Sequence, residues 1–225
     1  MLRSRSSGRD FPACCRDHNS CRRSLRRRPF RIPEAYREEL NKTIQELLRF
    51  KLIEPSLSPY ANPVFFVPQP PKKDGSPGGL RFVWDGRSVN SKLESDSYLI
   101  PRIEDLIDRV ARVKHEAQRA GHTQMYLSTI DLRTSFWQLR LDPESRDLTA
   151  FSTSAGQYRW TCLPMGMLTS AAHLQRWVEA VFKPWSSSTF SYKDREGKEH
   201  SAFGLVTCYI DDSLIVSFGD RDVHE

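Results

Sequence analysis

Asp211 and Asp212 stand side by side between two apolar runs, Phe203 to Ile210 and Ser213 to Phe218. A two-residue hairpin connection ordinarily takes Asn-Gly, Asp-Gly or Gly-X, because those residues reach positive φ at little cost. Two adjacent aspartates instead concentrate negative charge, which costs stability unless cations compensate it. Hard divalent ions with oxygen ligands are the natural compensation. A solvated turn that is simply acidic accounts for the dipeptide alone equally well. Asp131 changes that balance. It ends the run Tyr126-Leu127-Ser128-Thr129-Ile130, so a strand there brings its carboxylate to a sheet edge facing the hairpin. On its own Asp131 reads as a strand-end cap. Three carboxylates from two sheet elements, however, can hold two Mg²⁺ about 3.5–4 Å apart, the arrangement used for in-line phosphoryl transfer. One ion would activate an attacking hydroxyl and the other would neutralise a leaving pyrophosphate.

The elements that must position these residues follow from apolar spacing. Tyr36, Leu40, Ile44, Leu47 and Leu48 recur at helical intervals after Pro33, and the helix must stop by Pro55. Val64-Phe65-Phe66-Val67 and Leu80 to Trp84 flank the turn-rich Lys72-Lys73-Asp74-Gly75-Ser76-Pro77-Gly78-Gly79, which is a hairpin pattern. Pro101 opens a helix with Ile103, Leu106, Ile107 and Val110 on one face. Met125 to Leu132 reads as a strand, Trp137 to Leu141 and Leu148 to Phe151 as strands or strand edges, and Tyr158 to Leu163 as another strand. Leu174, Trp177, Val178, Val181 and Phe182 mark an amphipathic helix of about three turns. Ser186 to Ser201 is polar and reads as a surface insertion. Strands, a helix and then a hairpin make an α+β pattern rather than alternating βαβ units.

Charge excludes a uniformly basic nucleic-acid coat. Of the 225 residues, 34 are Lys or Arg and 28 Asp or Glu, a net of +6. Residues 1–31 hold ten arginines against Asp10 and Asp17, or +8, which leaves the remainder at −2. This Arg- and Ser-rich leader has the composition of a disordered segment. An organellar transit peptide and a zinc knuckle from Cys14, Cys15, His18 and Cys21 are weaker alternatives, the latter because the spacing fits no usual pattern. No run approaches the roughly 18 apolar residues of a membrane span, and no secretory signal is visible. Five cysteines, three of them crowded near the amino terminus, make a poor disulfide framework. The expected setting is reducing and intracellular, cytoplasmic or nuclear.

The motifs also carry a resemblance to a known family. Tyr209-Ile210-Asp211-Asp212 resembles the Y-x-D-D box of reverse transcriptases, and Ser128-Thr129-Ile130-Asp131-Leu132-Arg133-Thr134-Ser135-Phe136-Trp137-Gln138 their first catalytic strand and following turn. Arg81-Phe82-Val83-Trp84-Asp85-Gly86-Arg87-Ser88-Val89-Asn90 is similar to their fingers motif. Leu163-Pro164-Met165-Gly166-Met167 is similar to the loop before the palm helix. Leu52-Ile53-Glu54-Pro55-Ser56-Leu57-Ser58-Pro59-Tyr60-Ala61-Asn62-Pro63-Val64 resembles the approach segment of LTR-retrotransposon and retroviral polymerases, so the subtype suggested is a gypsy-like pol fragment. Five boxes run in order from about residue 33 to 218, which is far more specific than any one of them.

The resemblance implies the fingers and palm of a right-hand polymerase, the palm being an antiparallel sheet packed on helices, with no thumb in the chain. It implies a disordered leader over 1–31, fingers and their connection over 32–124, palm over 125–220 and a truncated tail over 221–225. Asp131, Asp211 and Asp212 would be the catalytic, metal-binding aspartates, with two Mg²⁺ (or Mn²⁺) as cofactors. Arg81 and Lys72 or Lys73 would bind the triphosphate, positions where catalysis is mostly charge neutralisation. Phe136 would lie beneath the incoming sugar and exclude a 2′-hydroxyl. Met165 and Gly166 would lie over nucleotide and template, and Tyr209 and Ile210 at the primer end. The implied partners are an RNA or DNA template with its primer, deoxynucleoside triphosphates and the remainder of a pol polyprotein, with no membrane. Alanine at 171 stands where the family favours proline, glycine at 86 where it favours an aromatic, and 114–124 reads as an insertion. Two other readings stay open: a retroelement remnant that only binds nucleic acid, and an RNA-templated RNA polymerase, against which Phe136 argues.

Overall fold

The computed structural model describes residues 27–71, 73–193 and 197–219. They form two compact units, each assembled from two stretches of chain: Met1–Asp96 with Phe136–Ser170, and Ser97–Ser135 with Ala171–Glu225. Residues 97–124, grouped by sequence with the amino-terminal half, therefore lie in the second unit, and 136–170 lie in the first. Lys72 and residues 1–26, including the cysteine cluster, fall outside the described residues.

In the first unit, Leu40, Ile44 and Leu47 form the buried face of α1 (Arg37–Arg49), which follows one 3-10 turn at Glu34–Tyr36. Leu52 N–H donates to Leu47 O at 2.9 Å while Lys51 takes φ 56, which ends the helix and starts β1 (Ile53–Pro55). The expected hairpin is present as β2 (Val64–Pro68) and β3 (Leu80–Trp84), in register from Val64↔Trp84 to Pro68↔Leu80. One helical turn follows, α2 (Arg87–Asn90). A second sheet has the order β1-β6-β5, with β5 spanning Phe151–Thr153 and β6 Gly156–Trp160. Glu54 on β1 is the register partner of Arg159 on β6, whose guanidinium reaches Glu54 at 2.8 Å and Asp147 at 2.7 Å. Phe151 joins the sheets, its ring 5.9 Å from that of Phe82 and 6.1 Å from that of Trp160.

Two expected strands are corrected here. Trp137 to Leu141 and Leu148 to Phe151, read as strands or strand edges, contain 3-10 turns at Ser135–Gln138 and Arg146–Thr149, with isolated bridges Arg140↔Cys162 and Asn62↔Phe151 at their ends and Phe151 opening β5. Backbone bonds spanning three residues, Leu139 N–H to Phe136 O and Ala150 N–H to Asp147 O, form the turns, while Leu141 N–H to Thr161 O and Leu163 N–H to Leu139 O make a short ladder only at the end of the first stretch. The Thr149 hydroxyl takes the Trp160 N–H at 3.0 Å, a donor that a neighbouring strand would otherwise satisfy.

The second unit is built on a four-stranded antiparallel sheet of order β4-β9-β8-β7. Its strands are β4 (Met125–Asp131), β7 (Thr189–Lys193), β8 (Glu199–Tyr209) and β9 (Asp212–Phe218). On one face Val113 and Ala117 of α3 (Ile103–Arg119) pack with Leu205, Val216 and Phe218. Of the expected face, Leu106 is buried and Val110 packs against this cluster, while Ile103 and Ile107 stay more than half exposed. Residues 114–119, read as part of an insertion, are the last turns of this helix. α4 (Ser170–Phe182) supplies the fully buried Leu174, Gln175 and Val178. Within the polar stretch 186–201, read as a surface insertion, Thr189–Lys193 form the edge strand β7 and Glu199 starts β8, in keeping with the Thr, Phe and Tyr content of β7. Among the described residues no helix is long and apolar enough to cross a membrane.

Candidate active site

Register puts two of the three aspartates together. Asp131 on β4 is paired with Asp212 on β9, and Leu132 N–H donates to Asp211 O at 3.2 Å just beyond them. That bond makes Leu132/Asp211 the hydrogen-bonded pair and Asp131/Asp212 the closely spaced, non-hydrogen-bonded one, with side chains on the same face. Both residues are exposed. None of the ion pairs among the described residues involves Asp131, Asp211 or Asp212. Two uncompensated carboxylates facing each other are a donor set suited to a hard divalent cation. The third does not complete a cage: among the described residues no three His, Cys, Asp or Glu side chains gather closely enough to hold a metal ion.

The hairpin differs by one residue from the expected one. The connection is Ile210-Asp211, not Asp211-Asp212, because β8 ends at Tyr209 and β9 begins at Asp212. Ile210 has φ 57 and Asp211 is not among the residues with positive φ, the signature of a type II′ turn with a β-branched residue where glycine is usual. The shift by one residue is what moves Asp212 out of the turn and onto the strand face shared with Asp131 and Tyr209. Sequence reading passed over a residue beneath this turn. Gln175 Oε1 accepts the Ile210 N–H at 2.6 Å, and Gln175 Nε2 donates to Cys208 O at 3.1 Å and to Glu179 at 2.7 Å. A polar side chain among the apolar positions of an amphipathic helix was the available signal.

In the first unit the structure brings Arg81, Met165 and Gly166 together. The Arg81 guanidinium lies 3.1 Å from Met165 Sδ, at the exposed end of the loop that follows Leu163. Gly166 has φ 96, and a Cβ there would meet Trp84 O at 3.4 Å. Asn90, a residue not singled out from sequence, fastens this loop: its Nδ2 donates to Gly166 O at 2.7 Å and its Oδ1 accepts the Leu168 N–H at 2.9 Å. Gly86 is also explained, since a Cβ would lie 2.2 Å from the Trp84 ring. Asp85 caps α2, accepting the Arg87 N–H at 3.1 Å and a forked pair from its guanidinium at 2.8 and 2.7 Å. The Arg87 hydrogen bonds hold the Asp85 carboxyl below its ordinary range. Lys73 lies in an exposed turn and Phe136 is half-buried in the 3-10 turn at Ser135–Gln138. Phe136 belongs to the first unit, Asp131, Asp211, Asp212, Tyr209 and Ile210 to the second.

Comparison with known proteins gives a consistent set of similarities. The family described as reverse transcriptase (RNA-dependent DNA polymerase) matches residues 70–225. The retrovirus-related Pol polyprotein from transposon 412 of Drosophila melanogaster is 36% identical over 166 residues, 73% of this chain and 12% of that one. The enzymatic polyprotein of Cauliflower mosaic virus (strain Strasbourg) is 29% identical over 201 residues, 89% of this chain and 25% of that one. Among solved structures, the prototype foamy virus protease-reverse transcriptase (CSH mutant) superposes with a TM-score of 0.65 at 25% identity, over 89% of this chain and 22% of that one. The chain thus spans a quarter or less of the length of these relatives.

Proposed function

We propose, because the chain belongs to the reverse transcriptase (RNA-dependent DNA polymerase) family, that it supplies the nucleotide-adding part of such an enzyme. The observation that carries this reading is the pairing of Asp131 with Asp212 across two strands, with Asp211 in the adjoining turn. The reaction is attack of a primer 3′-hydroxyl on the α-phosphate of a deoxynucleoside triphosphate, directed by an RNA or DNA template. Bound at these carboxylates, two Mg²⁺ (or Mn²⁺) would activate the hydroxyl and neutralise the pyrophosphate charge.

The chain's own groups divide the remaining work. Asp131 and Asp212 present oxygen ligands on one sheet face, and Asp211 adds a carboxylate from the turn. Arg81 and Lys72 or Lys73 offset triphosphate charge. Met165 and Gly166 form a surface for nucleotide and template, held in place by Asn90. Phe136 excludes a 2′-hydroxyl from the sugar position by its bulk. Tyr209 and Ile210 flank the primer end. We assign the first unit to fingers and the second, which carries the three aspartates, to palm, within the larger Pol polyprotein of a parent element of gypsy type.

Primer extension on poly(rA)·oligo(dT) with Mg²⁺, comparing the chain with Asp211→Asn, tests the reading. Incorporation that disappears in the variant is the expected result. A folded chain with no incorporation sinks the claim that it polymerises by itself. It would favour the second reading, a remnant that binds nucleic acid.

A further inference from the structure

The turn carrying Ile210 and Asp211 is held from beneath by side chains to which the proposed chemistry gives no role. Gln175 is fully buried. Both acceptors of its Nε2, Glu179 Oε1 and Cys208 O, lie at one end of the amide. Turning the amide over would set its oxygen against a carboxylate and a carbonyl, so Oε1 is committed to the Ile210 N–H. Glu179 is tied in turn by the Tyr98 hydroxyl, which donates to its other oxygen. The Tyr98 ring lies under the Arg176 guanidinium, 4.5 Å from its centroid. At the end of this chain of contacts is a β-branched residue with φ 57. Left-handed backbone at a non-glycine residue is costly and persists only where its surroundings over-determine it.

We propose that Tyr98, Glu179 and Gln175 form a positioning relay that holds the Ile210-Asp211 turn in its left-handed geometry and so sets where Asp212 stands opposite Asp131. The relay rests on the proposed function only for its consequence, metal affinity; its geometry stands without it. A turn that relaxes would rotate the first peptide of the hairpin and disturb the Tyr209/Asp212 pair that opens β9. Tyr98 and Glu179 border an open cleft of about 420 Å³ with Arg109, Arg176 and Lys183, so changes there need not disturb the core.

Amide hydrogen exchange of the whole chain, without metal, reads the relay directly. In Gln175→Met the Ile210 amide should exchange at least about tenfold faster while the Val216 amide, inside β9, keeps its protection. Glu179→Leu should speed Ile210 exchange by a smaller factor, and Glu179→Gln, which still accepts from Gln175, should restore it. Unchanged Ile210 exchange in a folded Gln175→Met overturns the relay. Should that variant not fold, the same result in Glu179→Leu overturns it. Mn²⁺ binding, followed by electron paramagnetic resonance, then tests the consequence. Affinity should fall in Gln175→Met and recover when Ile210→Gly is added, because glycine takes the left-handed conformation unaided. No recovery would mean that Gln175 acts on the ion by another route and would overturn the proposed link. Affinity unaltered by Asp131→Asn would instead refute the metal reading and leave the exchange result to decide the relay.

Discussion

Asp131 and Asp212 are cross-strand partners at a non-hydrogen-bonded position, which brings two carboxylates together on one exposed face of the sheet. Like charges directly opposite each other oppose folding. Either Asp131→Asn or Asp212→Asn should therefore raise the thermal midpoint in metal-free buffer. Added Mg²⁺ should raise it in the unmodified chain but not in the variants. Divalent-ion affinity should fall more than tenfold in each variant, since even groups that only orient metal ligands are worth about 10–100-fold. Thermal melts and isothermal titration with and without Mg²⁺ check both halves. A stabilising effect of Mg²⁺ that survives Asp212→Asn would place the ion elsewhere.

Sequence spacing located these aspartates because the signal was local: a strand pattern ending at Asp131 and two strand patterns around Asp211-Asp212. It misplaced the turn because turn statistics exclude isoleucine from a left-handed position, whereas Gln175, 35 residues earlier, supplies the hydrogen bond that supports it. The edge strand β7 was hidden for a related reason. Its strand-favouring Thr, Phe and Tyr lie within the serine-rich and charged run 186–201, and pairing with β8 completes the strand. The 3-10 turns at Ser135–Gln138 and Arg146–Thr149 fell where apolar residues are common but the backbone bonds to itself. Asn90 and Gln175 share one property that makes them hard to see: each acts on backbone distant in sequence.

Asn90 satisfies two backbone groups of the loop that carries Met165 and Gly166. Asn90→Ala should cost about 1–2 kcal/mol, from two net hydrogen bonds of ordinary strength. The Leu168 amide should lose its exchange protection. If that loop contacts nucleotide as proposed, KM for the deoxynucleotide should rise more than kcat falls. A variant whose Leu168 amide exchanges as before would show that the loop holds its shape without Asn90.

Acid should weaken the Asp85–Arg87 cap in a defined window. Hydrogen bonds from Arg87 lower the Asp85 pKa in the folded chain. The group therefore contributes stability above the ordinary aspartate range, and the contribution is lost as pH falls through the lowered folded value. Asp85→Asn should destabilise the chain at pH 7 and make little difference at a pH below the lowered folded value, where the native carboxyl is protonated as well. Urea denaturation at the two pH values gives the comparison. An equal loss at both would assign the effect to packing rather than to charge.

Cys162 lies in the first unit with its thiol pushed up to about 12 by burial. It should stay protonated and unreactive toward iodoacetamide at pH 8 in the folded chain and react on unfolding in urea, as read by peptide mass spectrometry. The sign for stability is opposite to that of Asp85. The unfolded thiol ionises first as pH rises, so its contribution declines above the ordinary thiol range. Labelling of the Cys162 peptide in the native chain at the rate of a model thiol would contradict the burial argument.

Gly86 owes its identity to Trp84. A Cβ at position 86 would sit 2.2 Å from Cζ3 and 2.6 Å from Cη2 of the indole, with no flexible side-chain end available to yield. Its φ of −82 is open to any residue, so the demand is for space and not for conformation. Gly86→Ala should then destabilise by about 1–3 kcal/mol, the usual range for overpacking a filled site. Trp84 is 3% exposed, so its ring has little room to yield. Substituting Trp84→Leu removes the ring at its own cost, but adding Gly86→Ala to that background should then cost little. A double-mutant cycle by chemical denaturation measures this coupling. Additive losses would mean that the two residues do not compete for the same space.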